Sequence, residues 1–400
     1  MPTQIIADLE EHAPVRTTAL PFNVPDITQA EIDEVADTLR SGWLTTGPKT
    51  KEFERRFAEY VGAHHAVAVN SCTAALHVSL AAAGIGPGDE VIVPTMTFCA
   101  TANVVIHLGA TPVIVDVEAD TLNMSPRGLE AAITPRTKAV IPVHLYGHPA
   151  DLDRIGAIAR ANQLLVVEDA AHAVAAEWCG RRIGSISAAT AFSFYAIKNL
   201  TTGEGGMITT DDTEYAAKMR VFSLHGITHD AWKRYSSEGS WYYEVAFPGF
   251  KCNLSDIQSS LGLHQLARLE DMIRRRSELV ARYNDGLSSL LEIERPSARP
   301  GVRHAWHLYA IRLRLEMLKI DRAQFIECLK AEGIGTSVHF IPLHRQPYYR
   351  DCLGLTPTDY PVADAAYQRL ISLPLFTRMT ERDVDDVIEA VRRLVERYRW

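Results

Sequence analysis

The feature that most restricts the fold is an alternation between residues 66 and 212. Short apolar, β-branched runs recur there: AVAVN (66–70), EVIVP (90–94), TPVIVDV (111–117), KAVIPVHLYG (138–147), LLVVEDA (164–170), ATAFSFYAI (189–197) and GGMITTDD (205–212). Between them lie helical stretches such as SCTAALHVSLAAAGI and TFCATANVVIHLG. Strands that are apolar on both faces belong inside a mainly parallel sheet, and intervening helices place the chain in the α/β class. The short loop between ATAFSFYAI and GGMITT implies that one strand runs antiparallel. Upstream, 25–62 reads as two helices around the turn-rich WLTTGP. Downstream, HGITHDAWKRYSSEGSWYYEVAFPGF has no clear period, and its length suits a functional segment. A long helix is expected from about 254 to 291. A compact α/β unit follows, with WHLYAIRLRL and TSVHF as strands and FIECLKAEGI and the C-terminus as helices. The expected division is a large domain over 1–250, and a connecting helix with a smaller domain over 251–400.

Composition removes several function classes. A net charge of −8 over 400 residues disfavours nucleic acid, whose phosphates require clustered Lys and Arg. The six cysteines are scattered without a CxxC pair, which fits a reducing cytosol better than a disulfide framework or zinc ribbon. MPTQIIADLEEHAP is acidic and lacks the apolar core of a secretory signal, and no run has the roughly 18 apolar residues of a membrane span. These features predict a soluble, cytoplasmic protein without membrane insertion.

Three local patterns carry chemistry. AVAVNSCTAALH is a strand ending in small polar residues that open a helix, and free N–H groups at such a junction attract anions. Simple N-capping is the alternative. In LLVVEDAAHA, Asp169 follows a buried-type strand, where an ionised carboxylate needs a cationic partner. It stands where open α/β sheets bind ligands, beyond the carboxyl ends of their strands; helix capping is its ordinary reading. Lys198, ending FSFYAIK, is either a strand-end lysine reaching water or an amine whose depressed pKa makes it a nucleophile. Together, an anion site, a carboxylate and a Schiff-base lysine are the parts that pyridoxal 5'-phosphate requires. Phe98, after EVIVPTMT, is placed to stack on such a ring or to pack in the core.

The same blocks carry a resemblance. SGWLTTGPKTKEFE, AVAVNSCTAALH, GIGPGDEVIVPTMTF, GATPVIVDV, VVEDAAHA, FSFYAIKNLTTGEGG and PGFKCNLSDIQSSLG occur in order over nearly the whole length. The chain resembles the DegT/ArnB-type nucleotide-sugar aminotransferases, of aspartate-aminotransferase-like fold type I. That resemblance implies that Lys198 bonds covalently to the cofactor and that Asp169 partners its pyridine nitrogen. It places His172 against the ring, Phe98 stacked on it, and Cys72 (backbone), Thr73 and Ser193 on the phosphate. The GFKCNLSD block would reach into the neighbouring subunit's site, making a homodimer with shared active sites. The commonest pattern there is G-[YF]-N-x-R, whereas Lys251 and Asn253 stand at its Asn and Arg positions. Asn253 is the favoured contact and Lys251 the alternative.

The K-x-N-L-[ST]-D-I variant, HAWHLYAIRL, GIGTSVHFIPLH and AWKRYSSEG resemble the branch that makes 4-amino-4-deoxy-L-arabinose. That branch puts His339 and His344 near the sugar. Thr45 and Thr46, in GWLTTGP, are expected contacts at the site's entrance, with turn and capping chemistry as their ordinary reading. The implied reaction moves an amino group from L-glutamate, leaving 2-oxoglutarate, to C4 of a UDP-linked keto sugar for lipopolysaccharide or other surface glycans. Amination at C3, or of GDP- or dTDP-4-keto-6-deoxy sugars, is the near alternative. A non-catalytic regulator on the same scaffold is the distant one, opposed by the joint presence of Lys198, Asp169 and Ser193. A sugar dehydratase would carry histidine in place of Lys198. GEGG is read as a turn that lets Lys198 reach the ring, because a Walker loop places its lysine after the glycines. HGITH, HAWH and HLYGH are read as structural or substrate-contacting, and no metal is expected.

Overall fold

The computed structural model describes residues 13–228 and 242–400. AWKRYSSEG and His229 of HGITH lie outside them.

Thirteen strands occur among the described residues. They are β1 (His65–Val69), β2 (Glu90–Pro94), β3 (Thr111–Val115), β4 (Thr137–Val140), β5 (Leu165–Asp169), β6 (Glu177–Trp178), β7 (Arg181–Arg182), β8 (Ala189–Ser193), β9 (Gly206–Thr210), β10 (Ile293–Glu294), β11 (Val302–Arg303), β12 (Tyr309–Leu313) and β13 (Leu370–Leu373). The central sheet has the order β1-β9-β8-β5-β4-β2-β3. Only β9 runs against its neighbours, as the short loop before it requires.

Both faces of the sheet are covered, which accounts for the unbroken apolar runs. Val91 and Val93 of β2 enter one core cluster, and Ile92 enters another on the opposite face. Likewise Ala191 and Ile208 pack on one side of β8 and β9, and Phe192 and Met207 on the other with Phe53 and Phe57. Each such side chain contributes roughly 1.5–3 kcal/mol by leaving water, apart from the smaller alanine.

The second unit is an antiparallel sheet, β10-β12-β13, covered by the helices Arg322–Ala331 and Glu381–Tyr398. The helix Asp256–Gly286 joins the two units: Leu263, Leu266 and Leu269 pack with the large domain, and Leu279, Val280 and Tyr283 with the small one. It starts on a capping box of Ser255 and Gln258. Gly262 lets it approach the helix Pro48–Val61, since a Cβ there would lie 2.6 Å from the Phe53 ring. Leu20 also packs into the small-domain core and bridges Ile334, so the N-terminal segment crosses to that unit.

Three expected strands change. KAVIPVHLYG forms a strand only to Val140, because Pro142 cannot donate to a ladder; beyond it Val143 makes one bridge to Asp169. ATAFSFYAI ends at Ser193, four residues before the end of the expected run. TSVHF makes only a single bridge, Ser337 with Ser372, before the chain turns toward the cavity. No described helix is long and apolar enough to cross a membrane.

Candidate active site

A cavity of about 1250 Å³, counted to its open mouth, lies at the carboxyl ends of β5 and β8. Cys72, Thr73, Phe98, Asp169, His172, Ser193, Lys198 and His339 all line it.

Local structure places each group. β1 ends at Val69 and the helix Cys72–Ala82 begins at once, with the Ser71 hydroxyl accepting from Ala74 N at 3.1 Å. Capping and anion binding are therefore compatible: Ser71 satisfies one N–H of the first turn, and those of Cys72 and Thr73 have no partner within a helix. Gly206 closes β9 against this turn. A Cβ there would meet Ser71 C at 2.5 Å and Cys72 N at 2.8 Å. Ser193, opposite Gly206 in the ladder, ends β8 on the cavity.

Lys198 sits on a loop, tied at its base by Phe194 N to Gly205 O at 2.8 Å and Thr202 N to Phe194 O at 2.9 Å. Of the GEGG glycines, Gly203 supplies a positive φ of 78°. Gly205 and Gly206 instead allow close approach, since a Cβ at Gly205 would lie 2.2 Å from Thr202 Oγ1. The sequence reading explained all three by the turn alone.

The charges of the site are incomplete. Asp169 is buried, and among the described residues it has no ion pair. Its Oδ2 accepts from Thr101 Oγ1 at 2.8 Å and its Oδ1 from Ala171 N at 3.1 Å. Lys198 Nζ makes no hydrogen bond or ion pair among the described residues, and burial brings its pKa down to about 8 against the opposing influence of the Asp169 carboxylate. Burial pushes the Cys72 thiol well above its usual value, so it adds no charge. A buried carboxylate without a cation, beside an unpaired amine, suits a ligand carrying a protonated nitrogen and a carbonyl.

The other wall is aromatic. Phe98 is 58% exposed, so it is not a core residue, and its ring lies 5.9 Å from that of Phe340. His172 accepts from Tyr146 N at its Nδ1 (3.2 Å), which leaves the ring proton on Nε2. It stacks on Phe340 at 5.7 Å and lies 4.4 Å from His307. Burial pushes His172 and His307 well below the usual histidine value and His339 to about 4. Apart from Lys198, the lining therefore has no cation near neutral pH.

The remaining candidates stand elsewhere. His344 is 0% exposed and away from the cavity, with Nδ1 2.8 Å from Thr95 Oγ1, Nε2 3.2 Å from Asp364 and its ring stacked on Tyr360. That contact set ties the 344–364 segment to the end of β2 and leaves no side for a sugar. Thr46 donates to Leu254 O and accepts from Asn253 Nδ2 at 2.7 Å, and Lys251 Nζ donates to Asn253. Thr45 accepts from Asp256 N through its carbonyl. The Asp256 carboxylate in turn holds Gly47 N, Lys49 N and Thr50 N at 2.8–3.1 Å, tying LTTGP to KCNLSD. None of these four, Thr45, Thr46, Lys251 and Asn253, lines the cavity of its own chain.

Sequence reasoning missed Thr101, Tyr195, His307 and Phe340. Thr101 and His307 were inside quoted blocks, TFCATAN and HAWHLY, but nothing in their spacing marks them as facing Asp169 or His172. Among the described residues no group of three or more His, Cys, Asp or Glu is arranged to hold a metal.

Comparison with known proteins agrees with this geometry. A family model for the DegT/DnrJ/EryC1/StrS aminotransferase family matches residues 25–392. The spore coat polysaccharide biosynthesis protein SpsC of Bacillus subtilis is 55% identical over 95% of this chain and 98% of its own. Spr1654 of Streptococcus pneumoniae, solved in its PLP form, superposes with a TM-score of 0.89 at 41% identity, over 95% of this chain and 99% of that one. PseC of Helicobacter pylori, an aminotransferase involved in pseudaminic acid biosynthesis, superposes at 0.88 with 27% identity, over 95% and 100%. Lys198 and Asp169 thus sit in a fold and a sequence frame of one kind, and the chain belongs to the DegT/DnrJ/EryC1/StrS aminotransferase family.

Proposed function

We propose that the chain transfers the amino group of L-glutamate to a nucleotide-linked keto sugar, at C4 of a UDP-sugar, for surface polysaccharide synthesis. As a member of this family it is a pyridoxal-phosphate-dependent enzyme of the sugar aminotransferase class. The observation that carries the site assignment is the juxtaposition in one cavity of a buried Asp169 carboxylate and a Lys198 amine that form no ion pair among the described residues. Similarity to SpsC supports the polysaccharide context, and the K-x-N-L-S-D-I block supports the C4 position.

Pyridoxal phosphate, when bound, supplies an electron sink for the pair released as a C–H bond next to nitrogen breaks. The chain's residues do the rest. The N–H groups of Cys72 and Thr73 hold the phosphate, with hydroxyls from Thr73 and Ser193. Asp169 keeps a proton on the pyridine nitrogen. Lys198, whose pKa burial lowers to about 8, has a larger neutral fraction than an ordinary lysine, and in that form it would take a proton from the substrate carbon. Phe98 would stack on the ring and His172 would contact it, and both line the cavity that would exclude water. Asn253, outside its own cavity, contacts the phosphate in the second subunit of a homodimer, which works in the cytoplasm.

The test is a panel of UDP-, dTDP- and GDP-linked keto sugars with L-glutamate, read by mass spectrometry for the amino sugar and 2-oxoglutarate. Amination of a UDP-4-keto sugar is expected. A faster product at C3, or from another nucleotide, would overturn that assignment.

A further inference from the structure

Asp169 is held by neutral donors on both oxygens, and one of these continues into a chain. Thr101 Oγ1 donates to Asp169 Oδ2 at 2.8 Å, and Thr97 Oγ1 lies 2.7 Å from Thr101 Oγ1. A threonine hydroxyl has one proton, and an ionised carboxylate only accepts. Thr101 therefore commits its proton to Asp169, and the contact behind it must run from Thr97 to Thr101. Thr101 is 0% exposed and Thr97 2%, so water does not compete for either hydroxyl. Donors in series polarise one another, which strengthens the last bond.

The other oxygen, Oδ1, is fixed by Ala171 N at 3.1 Å. Cys72 Sγ lies 3.8 Å from Oδ1 and 3.5 Å from Ala191 O, and its single weak S–H serves one or the other. Each carboxylate oxygen thus has one firm donor and retains acceptor capacity. The same short segment carries Phe98, with Thr101 N donating to Phe98 O at 3.2 Å, so the exposed ring and the relay share one support.

We propose that Thr101, backed by Thr97, is a positioning residue that orients the Asp169 carboxylate toward the pyridine nitrogen of the cofactor. This rests on the reading of Asp169 as the partner of that nitrogen.

The experiment compares full-length wild type with Thr101→Val, Thr101→Ser, Thr97→Val and Asp169→Asn. It measures the dissociation constant of pyridoxal phosphate and the pH midpoint of the bound cofactor's visible absorbance, with circular dichroism to check folding. Thr101→Val should bind the cofactor at least about tenfold more weakly, the loss expected for one charge-assisted hydrogen bond, and should move the midpoint. Thr101→Ser should restore both, and Thr97→Val should move both in the same direction by less. A Thr101→Val protein matching wild type in both readouts overturns the proposal. Should Thr101→Val fail to fold, Thr97→Val decides, and wild-type behaviour there overturns it. The two readings separate through Asp169→Asn. Wild-type behaviour of Asp169→Asn removes the role of Asp169 and the relay with it. A weakened Asp169→Asn beside an unaffected Thr101→Val removes the relay alone.

Discussion

The cavity has two walls built on different principles. On the sheet side, Asp169 ends β5, Ser193 ends β8, and Cys72 and Thr73 open the helix after β1. On the other side, His307, His339 and Phe340 come from segments without regular ladders, held by Asn199, Ser372 and stacked rings. The first wall carries charge and hydrogen-bond donors. The second carries neutral rings, because burial keeps its histidines unprotonated. On the proposed function, the difference would separate reaction chemistry, anchored to strand ends, from enclosure of the substrate by the aromatic segments.

Substitutions should break along that line. The largest effect is expected at Lys198. Lys198→Ala should abolish the visible absorbance of the lysine-bound cofactor and lower turnover by at least about 10²–10⁴-fold, the share of a positioned acid–base group alone. Next comes the region outside the cavity. Lys198→Ala and Asn253→Ala homodimers should each be nearly inactive, but a hybrid dimer has one site with both defects and one with neither. An equal mixture should then recover up to about a quarter of wild-type activity, because half of randomly paired twofold dimers are hybrids. No recovery after subunit exchange would argue for unshared sites, and a fully active Asn253→Ala homodimer would point to Lys251.

A smaller effect is expected on the aromatic wall. His339→Ala should lower kcat/KM by roughly tenfold, the scale of one lost polar contact in a closed site, with the cofactor still bound. His344, five residues on, should behave differently. His344→Ala should cost about 1–3 kcal/mol of stability by taking the ring partner from the buried Thr95 hydroxyl, with kcat/KM within about twofold of wild type. Equal kinetic losses at both histidines would contradict the separation of the walls.

The same contrast explains what was legible in the sequence. The strands of the central sheet were readable because burial on both faces leaves unbroken apolar runs, and the reversal because the loop before β9 is short. Asp169 and the opening of the helix Cys72–Ala82 were readable because they follow such runs directly, whereas Ser193 lies inside the expected run ATAFSFYAI and was reached only through the family resemblance. Lys198 was misplaced onto a strand end because FSFYAI looks extended, although the ladder stops at Ser193. TSVHF was read as a strand from its β-branched residues, but the chain leaves the sheet to put His339 and Phe340 on the cavity. His339 and His344 looked alike in HFIPLH. Only packing separates them, with Thr95 and Asp364 occupying both nitrogens of His344. Thr101 was invisible because a hydroxyl at a helix start is ordinarily a cap, and its partner is 68 residues away.

The central claim is that Lys198 is the amine that holds the cofactor. Reduction of the cofactor-loaded protein with borohydride makes that bond permanent, and peptide mass spectrometry then locates it. The account predicts a single phosphopyridoxyl modification, on the peptide containing Lys198. A modification confined to another lysine, or none on a protein that still transfers amino groups, would contradict it.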